Sequence, residues 1–166
     1  MAFVHHSYPH HHLPALTSPV PCPPPPPAES HYLPPANIRG CTMKDTIIAA
    51  GSEVVDSTLN NCVVGLRSHI NAGCKLDRVF MMGADYYETS QQARRVRETS
   101  GIPIGVGSNC VLKNVIIDKN ARIGKNCTII NKAGVQEANR EAEGLYIRSG
   151  IVTVLKNATV PDNTVV

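Results

Sequence analysis

The chain has 166 residues, a formal net charge of +3 and six cysteines, enough for one modest core with a tail. The positive charge is spread rather than gathered into a basic stripe, and no basic–aromatic motif accompanies it, so nucleic acid is not expected as a partner. No apolar run reaches the roughly eighteen residues of a helical membrane span, and Cys22, Cys41, Cys62, Cys74, Cys110 and Cys127 include no CxxC pair of zinc or redox spacing; they read as small, reduced, buried side chains of an intracellular protein.

The N-terminal stretch "MAFVHHSYPHHHLPALTSPVPCPPPPPAES" is dominated by proline and histidine. Proline fixes φ and has no N–H to give to a strand ladder. Residues 23–27 are therefore predicted as extended polyproline II, and 1–30 as a disordered tail. His5, His6, His10, His11 and His12 lie in this flexible segment and lack the fixed geometry of a metal site. The segment has neither the apolar centre of a secretory signal nor the arginines of a transit peptide.

From residue 38 onward a six-residue beat sets in. Ile48 and Val54 are six apart, five-residue steps lead to Leu59 and Val64, and Val64, Ile70, Leu76 and Met82 keep sixes. Ile104 and Cys110 resume it, then Ile117, Ile123 and Ile129, then Val154, Val160 and Val166. Three positions beyond many of these sites sits a small or turn-forming residue: Gly51, Ser57, Cys62, Gly73, Gly107, Asn120, Asn157, Asn163.

A period of six fits neither an α-helix nor a simple strand. An inward apolar residue, a short strand and a small corner residue describe one side of a triangular coil. Three such hexapeptides, roughly 18 residues, complete one turn of a parallel β-helix. Glycine and asparagine suit the corners because they tolerate left-handed backbone angles. The expected fold is all-β: a left-handed parallel β-helix over 31–166, an exception to the right-handed crossover rule. A sandwich would show alternation over longer strands and hairpin signals such as Asn-Gly, which are missing.

Two segments interrupt the beat. "GADYYETSQQARRVRETSGIP", residues 83–103, reads as a short helix with Thr89 or Ser90 as N-cap and Gly101 as stop, its Arg94, Arg95 and Arg97 forming a solvated face. "NKAGVQEANREAEGLYIRSG", residues 131–150, reads as a long loop leaving the coil. "GIPIGVGSN" is glycine-punctuated but lacks the Lys-Ser/Thr ending of a phosphate-cradling loop, so it reads as structural.

"VVGLRSHINAGCKLDRVFMMGADYYET", "PIGVGSNCVLKNVIIDKNARIGKN", "VQEANREAEGLYIRSGI" and "VLKNATVPDNTVV" together resemble the C-terminal domain of plant glucose-1-phosphate adenylyltransferase, from "HYLPPANI" at residue 31 to the end. "MMGADYY", "YIRSGI" and "LKNATV" are more similar to its large, regulatory subunit. The resemblance implies an enzyme that joins glucose 1-phosphate to ATP, releasing pyrophosphate and ADP-glucose for starch synthesis in plastids. That chemistry belongs to an N-terminal domain with a GGxGTRLxPLT-type signature, Mg²⁺-binding aspartates and sugar-phosphate lysines, and no such motif occurs in this sequence. No catalytic residue, metal site or cofactor is therefore expected in this chain, which should be inactive alone; a short chain complete in itself would be cytoplasmic.

The resemblance further implies partners and effectors. The partners are large and small subunits of the same enzyme in a hetero-oligomer. The effectors, 3-phosphoglycerate as activator and orthophosphate as inhibitor, bind the β-helix through two lysines. They match Lys119 in "IIDKNARIG" and Lys156 in "IVTVLKNAT", 37 positions apart and expected on neighbouring coils. Lys113, Lys125 and Lys132 read as solvated coil residues. Where the family has Gln-Pro-Arg before "YLPP", this chain has Glu29, Ser30 and His31. That leaves His31 as a weak contributor and Glu29 as a repelling charge. Two other functions share the fold: a regulatory or decoy module acting on intact subunits, and a hexapeptide acyltransferase, whose general base would fall to His69, the one histidine within the coils.

Overall fold

The computed structural model describes residues 32–88, 96 and 101–166. The expected tail at 1–30, His31, and the helix expected after Thr89 (Val96 apart) lie outside those residues.

Three walls of short parallel strands wind around one core. The first wall stacks Asn37–Arg39, Glu53–Val55, His69–Ile70, Gly105–Val106, Arg122–Ile123 and Thr159–Val160. The second stacks Thr42–Lys44, Thr58–Asn60, the first halves of Lys75–Gly83 and Val111–Ile117, and Thr128–Ile129. The third stacks Ile47–Ile48, Val63–Leu66, the second halves of the same two long strands, and Ile151–Val154. This is a parallel β-helix.

Register makes the core. On the first wall Val54 pairs with Ile70, Ile70 with Val106, Val106 with Ile123 and Ile123 with Val160. Leu59, Leu76, Leu112 and Ile129 form the second ladder, and Val64, Met81, Ile117 and Val154 the third. All are buried, and each contributes about 1.5–3 kcal/mol by leaving water.

The spacing departs from strict hexapeptides. Asn37 pairs with Glu53 and Thr58 with Lys75, so a coil takes sixteen or seventeen residues. Two corners are one residue short: that between the first and second walls at Asp56, and that between the second and third walls. In the latter the left-handed residue falls two positions beyond the inward one rather than three: Asn61, Arg78 and Asn114, at φ of 51°, 53° and 54°. The inward residues flanking that corner are thus five apart, not six.

Consequently Met81 faces the core at 3% exposure, while Met82, expected there, is 45% exposed. After the first excursion the ladder positions are Val106 and Leu112 rather than Ile104 and Cys110, and the left-handed corner is Asn109 rather than Gly107. Gly51, Gly73, Asn120, Asn157 and Asn163 do take the left-handed angles expected of them. Ser57 and Cys62 instead follow the left-handed residues Asp56 and Asn61.

That last placement explains the cysteines. Cys41, Cys62, Cys74, Cys110 and Cys127 carry free thiols, each one residue beyond a left-handed corner at Gly40, Asn61, Gly73, Asn109 or Asn126. The thiols point toward carbonyls of the adjacent coil: Cys74 Sγ lies 3.0 Å from Gly107 O, Cys110 Sγ 3.1 Å from Gly124 O, and Cys127 Sγ 3.2 Å from Pro161 O. Burial pushes the Cys62 and Cys127 thiols up, keeping them protonated and inert.

The second interruption is not a loop. Glu137–Arg140 and Leu145–Arg148 form an antiparallel pair, and the latter continues antiparallel onto Ile151–Val154 of the third wall. The physical reason is alternation within "LYIR": Leu145 and Ile147 are buried in the core while Tyr146 and Arg148 face outward. A 3-10 turn at Glu141–Glu143 and a left-handed Gly144 close the hairpin. The added strands cover an edge of the wall that would otherwise present unpaired backbone groups.

Candidate functional site

The first excursion leaves the coil at Gly83 and rejoins it at Gly105. Both have positive φ, 96° and 114°. A Cβ at Gly83 would collide with the Leu66 carbonyl, and one at Gly105 with the His69 carbonyl. Only glycine makes these two departures from the wall.

Between them, residues 84–88 fold back onto the coil. Tyr87 donates its hydroxyl to Gly51 O at 3.0 Å, beneath the Arg67 guanidinium 5.8 Å from the ring centre. Glu88, with its side chain only 10% exposed, accepts the Ile104 N–H at 3.0 Å and pairs with Arg122 at 2.6 Å. Arg122 also donates to Ile102 O at 2.7 Å. One guanidinium thus ties the start of the excursion to its end.

Asp85 lies at the centre of this fold-back. The corner between the third and first walls stacks Lys119–Asn120 on one coil and Lys156–Asn157 on the next. The Asn157 N–H reaches Lys119 O at 3.0 Å, and the Asn120 N–H reaches Gly83 O at 3.1 Å. Lys119 Nζ donates to Asp85 Oδ1 at 2.8 Å, and Lys156 Nζ lies 3.6 Å from Asp85 Oδ2. The two lysines matched by resemblance therefore meet over one carboxylate, on neighbouring coils.

Asn120 organises the contact. It is 5% exposed, with its backbone in the left-handed region. Its Oδ1 accepts the Asp85 N–H at 2.8 Å, and its Nδ2 donates to Asp85 Oδ2 and to Asn157 Oδ1, both at 3.2 Å. The hydrogen bond from Lys119, followed by that from Asn120 and the charges of both lysines, holds the Asp85 carboxyl below the usual carboxylate range.

Chemically the corner gathers donors suited to an anion. Two ammonium groups and one amide N–H converge on the oxygens of a single carboxylate, and a lysine is a compact charge that meets phosphate oxygens as readily as carboxylate ones. Asp85 and Asn120 were not among the residues picked from the sequence. Asn120 was visible only as a corner, and Asp85 is separated from Lys119 by an excursion whose path no periodicity describes.

The other predicted residues fall elsewhere. Lys113 lies 3.8 Å from Asp77 on the outer face, beside the second wall. Lys125 lines a separate cleft of about 570 Å³ with Asn71, Ile102, Val106, Ile123 and Asp162. His69 sits on the outside of the first wall, with Nδ1 3.3 Å from Glu53 and Nε2 3.3 Å from Asn71. Both its nitrogens are engaged. Among the described residues no group of three or more His, Cys, Asp or Glu side chains gathers as a metal site, and no helix is long and apolar enough to cross a membrane.

Walls of this pitch, with polar side chains stacked at their corners, define a left-handed parallel β-helix protein. A family model, the GLGC left-handed parallel β-helix domain, matches residues 31–165, and the chain belongs to that family. These residues are the β-helix portion of a glucose-1-phosphate adenylyltransferase subunit.

Proposed function

We propose that this β-helix serves regulation and assembly of the adenylyltransferase, receiving anionic effectors at Lys119 and Lys156. The observation that carries the reading is the convergence of both ammonium groups on the oxygens of one carboxylate. The effectors are 3-phosphoglycerate and orthophosphate, and the partners are large and small subunits, with this chain closer to the large one. The setting is starch synthesis in a plastid. The chain itself carries out no nucleotidyl transfer and takes no metal.

Physically, rigid coil walls hold the lysine stems, so little order is lost when an anion arrives. Each charge-assisted contact contributes on the order of 1.5–3 kcal/mol in a preorganised site. Without cations from other elements, the pair should hold phosphate only in the millimolar range, roughly −4 kcal/mol.

The test is a phosphate titration of the 166-residue chain at constant ionic strength, read by nuclear magnetic resonance. Shifts centred on the 118–120 and 155–157 corners and on the residue 85 segment that contacts them, and absent in Lys119→Ala and Lys156→Ala, are the expected result. In a full-length subunit, either substitution should raise the 3-phosphoglycerate requirement and leave the rate without effector nearly unchanged. A double variant with unaltered activation refutes the assignment. So does measurable ADP-glucose formation by the present chain for the proposed division of labour.

A further inference from the structure

Asp85 occupies the place that an incoming anion needs. Both of its oxygens are engaged: Oδ1 by Lys119 at 2.8 Å, Oδ2 by Asn120 at 3.2 Å and by Lys156 at 3.6 Å. An anion cannot reach both lysines while that carboxylate lies between them. We propose that Asp85 is a built-in competitor for the lysine pair, and that a phosphate-bearing dianion binds by displacing its carboxylate, leaving the head of the 83–103 excursion held at the coil corner by backbone contacts alone. The inference rests on the anion-binding reading above and adds to it the element through which binding is felt.

Three observations favour an exchangeable carboxylate over a fixed brace. The side chains of Asp85, Lys119 and Lys156 are 39%, 48% and 54% exposed, so water and ions reach the contact without any unfolding. Exposed ion pairs of this kind are weak and screened. A dianion brings twice the charge of the carboxylate and more acceptor oxygens, while each ammonium has three protons to give. Asn120 supplies a ready third donor, since its Nδ2 is freed when the Asp85 carboxylate swings away.

The consequence reaches beyond the corner. Asp85 is three residues from Glu88, whose carboxylate pairs with Arg122 and accepts the Ile104 N–H at the far end of the excursion. Tyr87, between them, is hydrogen-bonded to Gly51 on another coil. Loss of the carboxylate contacts weakens the first of three fastenings along residues 85–88, where the Asp85 N–H still reaches Asn120 Oδ1, and leaves the other two. An anion at the lysines thereby alters how one end of a 21-residue excursion is held, without disturbing the core ladders.

The experiment compares dissociation constants for inorganic phosphate and, separately, 3-phosphoglycerate in the parent chain, Asp85→Asn, Asp85→Ala, Lys119→Ala and Lys156→Ala. Asp85→Asn keeps the shape and an acceptor for Asn120 Nδ2 but removes the charge; Asp85→Ala removes the side-chain contacts and keeps only the backbone N–H to Asn120 Oδ1. Tightening of about tenfold in both Asp85 variants, equivalent to about 1.4 kcal/mol, is the expected result, with the Asp85 amide resonance of the parent shifting at the same ligand midpoint. The ligand with the lower constant in the parent identifies the source of the phosphate group. Unchanged or weaker binding in both Asp85 variants, with binding still lost in the lysine variants, overturns the competitor and leaves the anion site standing. Binding that survives loss of the lysines, or no saturable binding by any of the chains, overturns both.

Discussion

Met81 and Met82 are adjacent, chemically identical and on opposite faces of the same strand, which makes them a sharp probe of register. Met81 is 3% exposed and stacks between Val64 and Ile117 in the third ladder; Met82 is 45% exposed. Truncating a core methionine to alanine costs about 2–5 kcal/mol through lost transfer energy and the cavity left behind. An exposed position away from special contacts changes stability by about 0.5 kcal/mol or less. With a urea slope of about 1–3 kcal/mol per molar, Met81→Ala should lower the unfolding midpoint by about 1–2 M, and Met82→Ala by a few tenths at most. Both curves should keep the parental slope. Equal midpoint shifts, or a larger shift for Met82→Ala, would mean that the coil does turn in strict sixes here and that the five-residue step across Arg78 is wrong.

Ile123→Asp should abolish the folded state, because a buried, unpaired carboxylate costs several kcal/mol against a total of about 5–15; a circular-dichroism melt within a few degrees of the parent would contradict the burial of that ladder. Arg122→Ala leaves the Glu88 carboxylate without its cation inside the fold-back, a loss of about 3 kcal/mol or more for a largely buried pair. It should open the excursion before the coil, so limited proteolysis should cut first between residues 88 and 104, and cleavage elsewhere first would count against the clasp. Asp85 gives a pH signature of definite sign. Its carboxyl is held below the usual range, chiefly by the Lys119 hydrogen bond, so its contribution to stability is complete above the unfolded-state value and is lost as pH falls through the lowered folded one, in a window below about pH 4. The stability difference between parent and Asp85→Asn should therefore shrink as pH falls below about 4; a constant difference would show that the lysine contact does not depend on the charge.

Much of the scaffold could be read from the chain because a β-helix is locally periodic. Each inward residue and each corner is repeated, so errors in one coil are outvoted by the others. What misled was the corner that is one residue short. Asn61 and Asn114 suit a corner but carry no sign of its length, and an arginine at φ 53° has no compositional signature. Hence the shift from Met82 to Met81, and from Ile104 and Cys110 to Val106 and Leu112. The antiparallel strands within 131–150 did have a signal, the alternation Leu145, Tyr146, Ile147, Arg148, but it spans only four residues between polar runs.

The site divides along the same line. Lys119 and Lys156 stack because the coil register, 37 residues with the second excursion included, is a property of the repeat; Asn120 and Asn157 follow one position on. Asp85 obeys no such rule. It belongs to residues 84–88, placed by the exit at Gly83 and by side-chain contacts with the coil, and long-range contacts of that kind leave no period in a sequence. The physical asymmetry is itself informative. The lysines sit on walls fastened by backbone ladders on both sides, while the carboxylate sits on a segment joined to the coil by a few backbone bonds and by side-chain contacts such as Glu88–Arg122. Of the two partners in this ion pair, the carboxylate is on the less extensively laddered backbone, and the proposed displacement by a dianion would act on that half.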